Sequence, residues 1–159
     1  MDEGEVCSLT DVDLSKAFDS VDHKVLLTKL GWYGIDPSWF ASYLSGRSQA
    51  VRGGSEIPLP VTHGVPQGSI TGPILFSVLV NDLPSYVPCK IIGYADDTQL
   101  LDRAPPERLN MTALQARIET NLAVMENWFK PNALKMNPDK TKFMLVGTRA
   151  NINKTNNFH

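Results

Sequence analysis

A chain of 159 residues, 42% hydrophobic and 20% charged, has the length and make-up of one soluble globular domain and is long enough to bury a core. Its formal net charge of −2 and pI near 5.9 exclude the global basic balance of a self-sufficient nucleic-acid binder. Cys7 and Cys89 fit neither a disulfide framework nor a zinc site and read as small buried hydrophobes; no apolar run reaches the roughly 18 residues of a membrane span and Met1 to Glu5 lacks signal-peptide character, so the expected location is intracellular, nucleus or cytoplasm, with no membrane partner.

Taken in chain order, Val6 to Leu14 has the apolar content of a short strand, interrupted by Thr10 and Asp11. From Asp22 to Leu30, Val25, Leu26, Leu27 and Leu30 make one helical face. Asp36 and Pro37 then supply a cap and a first-turn proline for a second helix, with Trp39, Phe40, Tyr43 and Leu44 as its stripe and Gly46 as its end. Arg47 to Arg52 and Leu59 to His63 read as strands about the turn-prone Gly53-Gly54-Ser55. Gly64 to Ser69 is loop by composition and opens onto an apolar helix from Pro73 to Leu83, with Ile74, Leu75, Val78 and Leu79 inside.

Cys89 to Tyr94 and Thr98 to Leu101 are short β-prone runs flanking Ala95-Asp96-Asp97, the outline of a tight hairpin. A longer helix is predicted from about Pro106, because Leu114, Ile118, Leu122, Met125 and Phe129 recur at spacings of three or four. Asn132 to Lys140 reads as loop and Lys142 to Val146 as a strand. The domain expected from this pattern covers residues 1–147, and the polar residues 148–159 are expected to lack fixed structure. The order β, αα, ββ, α, β-hairpin, α, β points to an α+β layer architecture on an antiparallel sheet.

Two adjacent acids at a hairpin tip, Asp96 and Asp97, are an unfavourable choice for stability, since like charges repel and Asp disfavours strands. A bound divalent cation removes that cost, and hard carboxylate oxygens suit magnesium. The competing explanation is an ordinary Asp-rich turn. Asp13, at the end of the first predicted strand, is the natural partner: if that strand lies beside the hairpin, the acids share one sheet edge. Three carboxylates so placed could hold two metal ions roughly 3.5 to 4 Å apart, as in phosphoryl transfer. Alone, Asp13 would read as a strand-end or helix-cap acid.

These residues resemble the motifs of non-LTR retrotransposon (LINE/jockey-like) reverse transcriptases. Asp13 to His23 is similar to motif A of that family, Gly64-Val65-Pro66-Gln67-Gly68-Ser69 with Gly72-Pro73 and Asn81 to Pro84 to motif B, Tyr94-Ala95-Asp96-Asp97 to motif C, and Asn137 to Lys142 to motif D. The connecting Tyr43 to Gln49 also fits, and the resemblance runs from about residue 10 to residue 147. It implies a reverse-transcriptase-type palm, an antiparallel sheet with helices packed on one face, with fingers and thumb missing. It implies an RNA-directed DNA polymerase using two magnesium ions, or manganese in their place, with an RNA template, a DNA primer and deoxynucleotide triphosphates as partners in the full-length enzyme. By the same resemblance Asp13, Asp96 and Asp97 are catalytic metal ligands. The Leu14 carbonyl reaches the nucleotide-side metal, and Phe18 lies under the sugar and excludes a ribose 2′-hydroxyl. Gln67 and Gly68 pack on nucleotide and template, and Lys140 lies near the triphosphate.

Plainer explanations stand beside these: Phe18 as a core aromatic, and Gln67 and Gly68 as an ordinary turn before a helix. Trp32, Trp39 and Trp128 suit base stacking, yet Trp39 and Trp128 lie on helix faces where core packing is expected. His23, His63 and His159 match no ligand pattern. Lys130, Lys135, Lys140, Lys142, Arg149 and Lys154, interrupted by Asp139, make either a local phosphate-binding surface or a solvated helix end and loop. Asp11 departs from the family's apolar strand and reads as a fourth acid or as a lesion. Two functions follow: a polymerase palm, or a catalytically inactive remnant or domesticated module that binds nucleic acid or protein. A palm without its neighbours is also expected to self-associate through exposed apolar surface.

Overall fold

The computed structural model describes residues 5–50, 57–104 and 111–156, which form two compact units. The first unit takes residues up to Ser15, Asp82–Pro131 and the chain from Lys135 onward; the second takes Lys16–Asn81 with Asn132–Leu134.

The first unit is built on a four-stranded antiparallel sheet. Its strands are β1 (Val6–Val12), β4 (Lys90–Tyr94), β5 (Asp97–Ala104) and β6 (Lys142–Val146), in the order β4-β5-β1-β6. Central placement of β1 follows from its alternation. Val6, Ser8, Thr10 and Val12 are buried, and the odd-numbered residues form the other face. Helix α4 (Met111–Phe129) covers the buried face, its Leu114 packing on Val6 with Ile118 and Leu145 alongside. Met125 and Phe129, further along the expected stripe, are also buried, as is Trp128 beside Phe129.

Asp11 lies in register between Gln99 and Lys142 and accepts a hydrogen bond from the Gln99 amide. An opposite charge and an amide on the flanking strands compensate it. Residues 149–156, expected to lack structure, form a helix, α5 (Arg149–Asn156). Thr148 caps it, its carbonyl accepting from the Ile152 N–H and its hydroxyl from the Asn151 N–H, and Ile152 is half-buried against Gly147. Composition alone hid a cap and one apolar anchor. Cys7 is buried, whereas Cys89 is only partly so.

The second unit packs α1 (His23–Trp32), α2 (Ser38–Leu44) and α3 (Thr71–Val80) with a ribbon of β2 (Ser48–Gln49) and β3 (Leu59–Pro60). These strands are shorter than the sequence predicts, and the expected turn at Gly53 to Ser55 lies outside the described residues. The core holds Leu26, Leu30, Leu44, Leu75, Phe76 and Leu79. Lys29, also buried, donates to the Leu79 carbonyl at the end of α3, where a cation satisfies an otherwise orphan acceptor. The inward face of α3 differs from prediction: Gly72, Leu75, Phe76 and Leu79 are inside, while Ile74 is 58% exposed. The helix begins at Thr71 and its spacing selects Phe76, one turn on from Gly72. Trp39, expected in the core, is 59% exposed, because Leu44 alone of α2 is buried.

Candidate active site

In the first unit, Asp13 follows the last residue of β1, and the register that closes on Val12 opposite Thr98 carries Asp13 to a position opposite Asp97. Asp97 is the first residue of β5 and pairs with Tyr94, so Ala95 and Asp96 alone make the turn of the hairpin. Ala95 adopts φ 54° to close it, a left-handed conformation that only the turn geometry justifies. Asp96 is partly buried and Asp97 exposed. The three predicted acids thus stand on two neighbouring strands at one end of the sheet.

A second segment braces the same end. The Asp13 carbonyl accepts from the Asn137 N–H at 2.9 Å, Leu14 bridges Met136, and the Ser15 N–H donates to the Lys135 carbonyl at 2.8 Å. The Asn137 carbonyl in turn accepts from the N–H groups of Lys140 and Thr141 and from the Thr141 hydroxyl. That turn brings the Lys140 Nζ to 3.9 Å from an Asp13 carboxylate oxygen. Sequence reasoning gave a role to Lys140 but none to Asn137, the first residue of the same motif, whose backbone ties the acid to the lysine; a backbone role leaves no trace in residue type.

Carboxylates of this kind fit a divalent cation by donor chemistry. Among the described residues, however, no three acidic, histidine or cysteine side chains already converge as a metal-holding group. The carboxylates stand at one end of the sheet without closing into a cage, and Lys140 faces Asp13.

In the second unit, two loops carry the remaining predicted residues. Lys16, at φ 51°, turns the chain so that its carbonyl accepts from the N–H groups of Asp19 and Ser20 and the Ser20 hydroxyl. The Val65 N–H donates to the Phe18 carbonyl and the Gly64 N–H to the Val21 carbonyl, while a ring nitrogen of His23 lies 2.8 Å from the Gly64 carbonyl oxygen. These bonds lock the loop after Lys16 to the loop before α3. Phe18 is half-buried, its ring 4.9 Å from that of Phe76, so it does pack on the core. Gln67 is exposed, and its amide donates to the Asp19 carboxylate at 2.8 Å. Gly68 is exposed at φ 77° with open space where a side chain would be. Of the three, Gln67 lines an open cleft of about 820 Å³, together with Lys16, Asp19, Arg47 and His63. Asp19, an orienting partner for Gln67, was invisible in the sequence because the two meet only through the loop pairing.

An antiparallel sheet that sets acids from two adjacent strands at one end, with a helix across one face, is a palm-type α+β fold. The chain belongs to the reverse transcriptase (RNA-dependent DNA polymerase) family, whose sequence pattern matches residues 1–159. It is 36% identical over 157 residues to a protein of Drosophila melanogaster described as "probable RNA-directed DNA polymerase from transposon BS", a match covering 88% of this chain and 16% of that one. It is 32% identical to the RNA-directed DNA polymerase from mobile element jockey of the same organism, covering 74% of this chain and 14% of the relative. The fold is shared with apo telomerase from Candida tropicalis truncated from its C-terminal domain, at a TM-score of 0.63 and 14% identity, over 90% of this chain and 31% of the other. The chain therefore spans a small fraction of each relative's length. Reverse transcriptases act with divalent metal ions on nucleic-acid templates and nucleotides, and among the described residues no helix is long and apolar enough to cross a membrane.

Proposed function

We propose that this chain carries the catalytic palm of an RNA-directed DNA polymerase of the non-LTR retrotransposon type. The reaction is attack of a DNA primer 3′-hydroxyl on the α-phosphate of a deoxynucleotide triphosphate, opposite an RNA template, with pyrophosphate leaving. The observation that carries this reading is the strand register that ends at Val12 opposite Thr98, immediately before Asp13 and Asp97, with Lys140 3.9 Å from Asp13. Asp13, Asp96 and Asp97 would hold the divalent cations, magnesium or manganese. When bound, such ions stabilise charge on the attacking and leaving oxygens.

The chain's own residues do the rest. Lys140 lends positive charge toward the triphosphate, the Leu14 carbonyl offers a further oxygen ligand, and Phe18 lies beneath the sugar and excludes a ribose 2′-hydroxyl. Gln67, oriented by Asp19, and Gly68, without a side chain, allow close approach of nucleotide and template. The reading places the protein inside the cell, in nucleus or cytoplasm, and expects self-association through apolar surface left open on the palm. Residues 1–147 would form the palm, with α5 as an appended helix.

Primer extension on an RNA template with magnesium and deoxynucleotides, run beside Asp96→Asn, tests the proposal. Extension that the substitution abolishes supports a working polymerase. No extension in either protein supports the alternative, a catalytically inactive remnant or a domesticated binding module.

A further inference from the structure

The second unit also presents an aromatic feature that neither the fold nor the proposed catalysis requires. Trp39 and Tyr43, one turn apart on α2, stack with centroids 5.3 Å apart and planes within 7° of parallel. The Arg47 guanidinium lies over the Tyr43 ring at 5.3 Å, and its Nη1 reaches the Tyr43 carbonyl. Phe40 supports Trp39 edge-on at 5.0 Å, and the Thr71 hydroxyl donates to the Tyr43 phenol oxygen at 3.0 Å, anchoring the stack to α3. Trp, Tyr and Arg thus form a ladder of planes held at both ends before any ligand arrives.

The ladder is open to solvent at Trp39, 59% exposed, and the preceding segment also exposes Trp32 at 73%. An indole used for packing would be buried. The surroundings mix polar and apolar side chains, with Tyr33 and Ile35 also exposed in the segment before the helix. Ser38, Ser42 and Ser45 lie exposed along and just after the helix, α2 carries no acid, and the nearby Asp36 already accepts from the N–H and hydroxyl of Ser38. Arg47 also lines the cleft that contains Lys16 and Gln67, so the ladder runs from the helix surface to the cleft wall. A protein partner would call for an apolar groove; flat π-faces beside the Arg47 guanidinium suit nucleobases joined by phosphates.

We propose that α2 is a stacking platform for a single-stranded polynucleotide, with an unpaired base on the open face of Trp39 and a neighbouring phosphate on Arg47. The identity of the ligand rests on the polymerase reading above; the site itself does not overlap the acids.

The test is fluorescence anisotropy of labelled oligouridylate and oligodeoxythymidylate with the full chain in EDTA, which removes any contribution from cation-dependent catalysis. Trp39→Ala should weaken binding roughly 5- to 150-fold, the span of losses found when a base–aromatic stack is deleted, and Trp39→Phe should recover most of it. Arg47→Met should lower the salt dependence. Circular dichroism on each variant checks that the exposed substitution leaves the fold intact. Binding lost in Trp39→Ala would stand for the platform even where primer extension fails. Undiminished binding in Trp39→Ala, or no binding by the parent chain, overturns it, as does a Trp39-dependent change in mass by light scattering with no effect on oligonucleotide.

Discussion

At Gly64 the backbone leaves no room for a side chain: φ is 86° and a Cβ would come within 2.9 Å of the Asp19 carbonyl oxygen. Gly64→Ala is expected to cost about 2 to 3 kcal/mol, combining left-handed strain with displaced backbone. Gly68→Ala, at φ 77° but with nothing within 4 Å, should cost only about 1 kcal/mol, from the conformational preference alone. Urea midpoints of the two variants separate the contributions. Both glycines were marked in the sequence as loop residues, and the resemblance singled out Gly68, whereas nothing marked Gly64 as the tighter position. The difference arises because Asp19, remote in sequence, is drawn against Gly64 by hydrogen bonds between the two loops. For the same reason the acids Asp13, Asp96 and Asp97 were recognisable from their motifs, whereas Asn137 and Asp19, which brace and orient, were not.

Helix α1 shows what a cap contributes at the level of an element. Asp22 accepts from the N–H groups of Lys24 at 2.7 Å and Val25 at 3.0 Å. The Val25 N–H is the main cause of a carboxyl pKa held below its ordinary 3.8; partial burial opposes the shift, while the Lys24 N–H and the charge of His63 assist it. A folded-state pKa below the unfolded one means that protonation favours unfolding. The stabilisation is therefore fully present above pH 3.8 and is lost as pH falls through the lowered value. Asp22→Ala should destabilise by about 1 kcal/mol at neutral pH, and the gap between parent and variant in thermal melts should close as the pH drops below about 4. A gap independent of pH would assign the effect to packing. The start of α1 was readable from its apolar face, although its cap at Asp22 was not singled out. So was the stripe of α4, where Leu114, Met125 and Phe129 are all buried. The face of α3 was misread since every residue from Ile74 to Val80 except Ser77 is apolar, and only the tertiary partners choose between Ile74 and Phe76. Helix α5 was missed because its evidence is a single cap and a single Ile152.

Across the whole sheet of the first unit, the face opposite α4 is organised in rows. Leu101, Leu9 and Met144 align across β5, β1 and β6, and beside them run Gln99, Asp11 and Lys142, with Asp97 beyond. The Leu101–Leu9–Met144 row is the apolar one; beyond it Cys7 pairs with Arg103, and Cys7, Leu9, Leu101 and Val146 line a cavity of about 190 Å³ with Glu5 and Arg103. Met144 is 58% exposed and sits on an edge strand. Exposed apolar side chains on an edge favour association of chains. Light scattering should accordingly show a mass that rises with protein concentration, and rises further in sulfate, which strengthens apolar burial. Met144→Lys places a charge in the middle of this surface, beside Leu9, and should shift the population toward monomer while leaving the far-UV circular dichroism unchanged. A concentration-independent monomer in the parent chain would remove self-association from the account. An unchanged mass distribution in Met144→Lys would move the contact away from this row, and Trp39, on the other unit, would then be the next exposed residue to substitute.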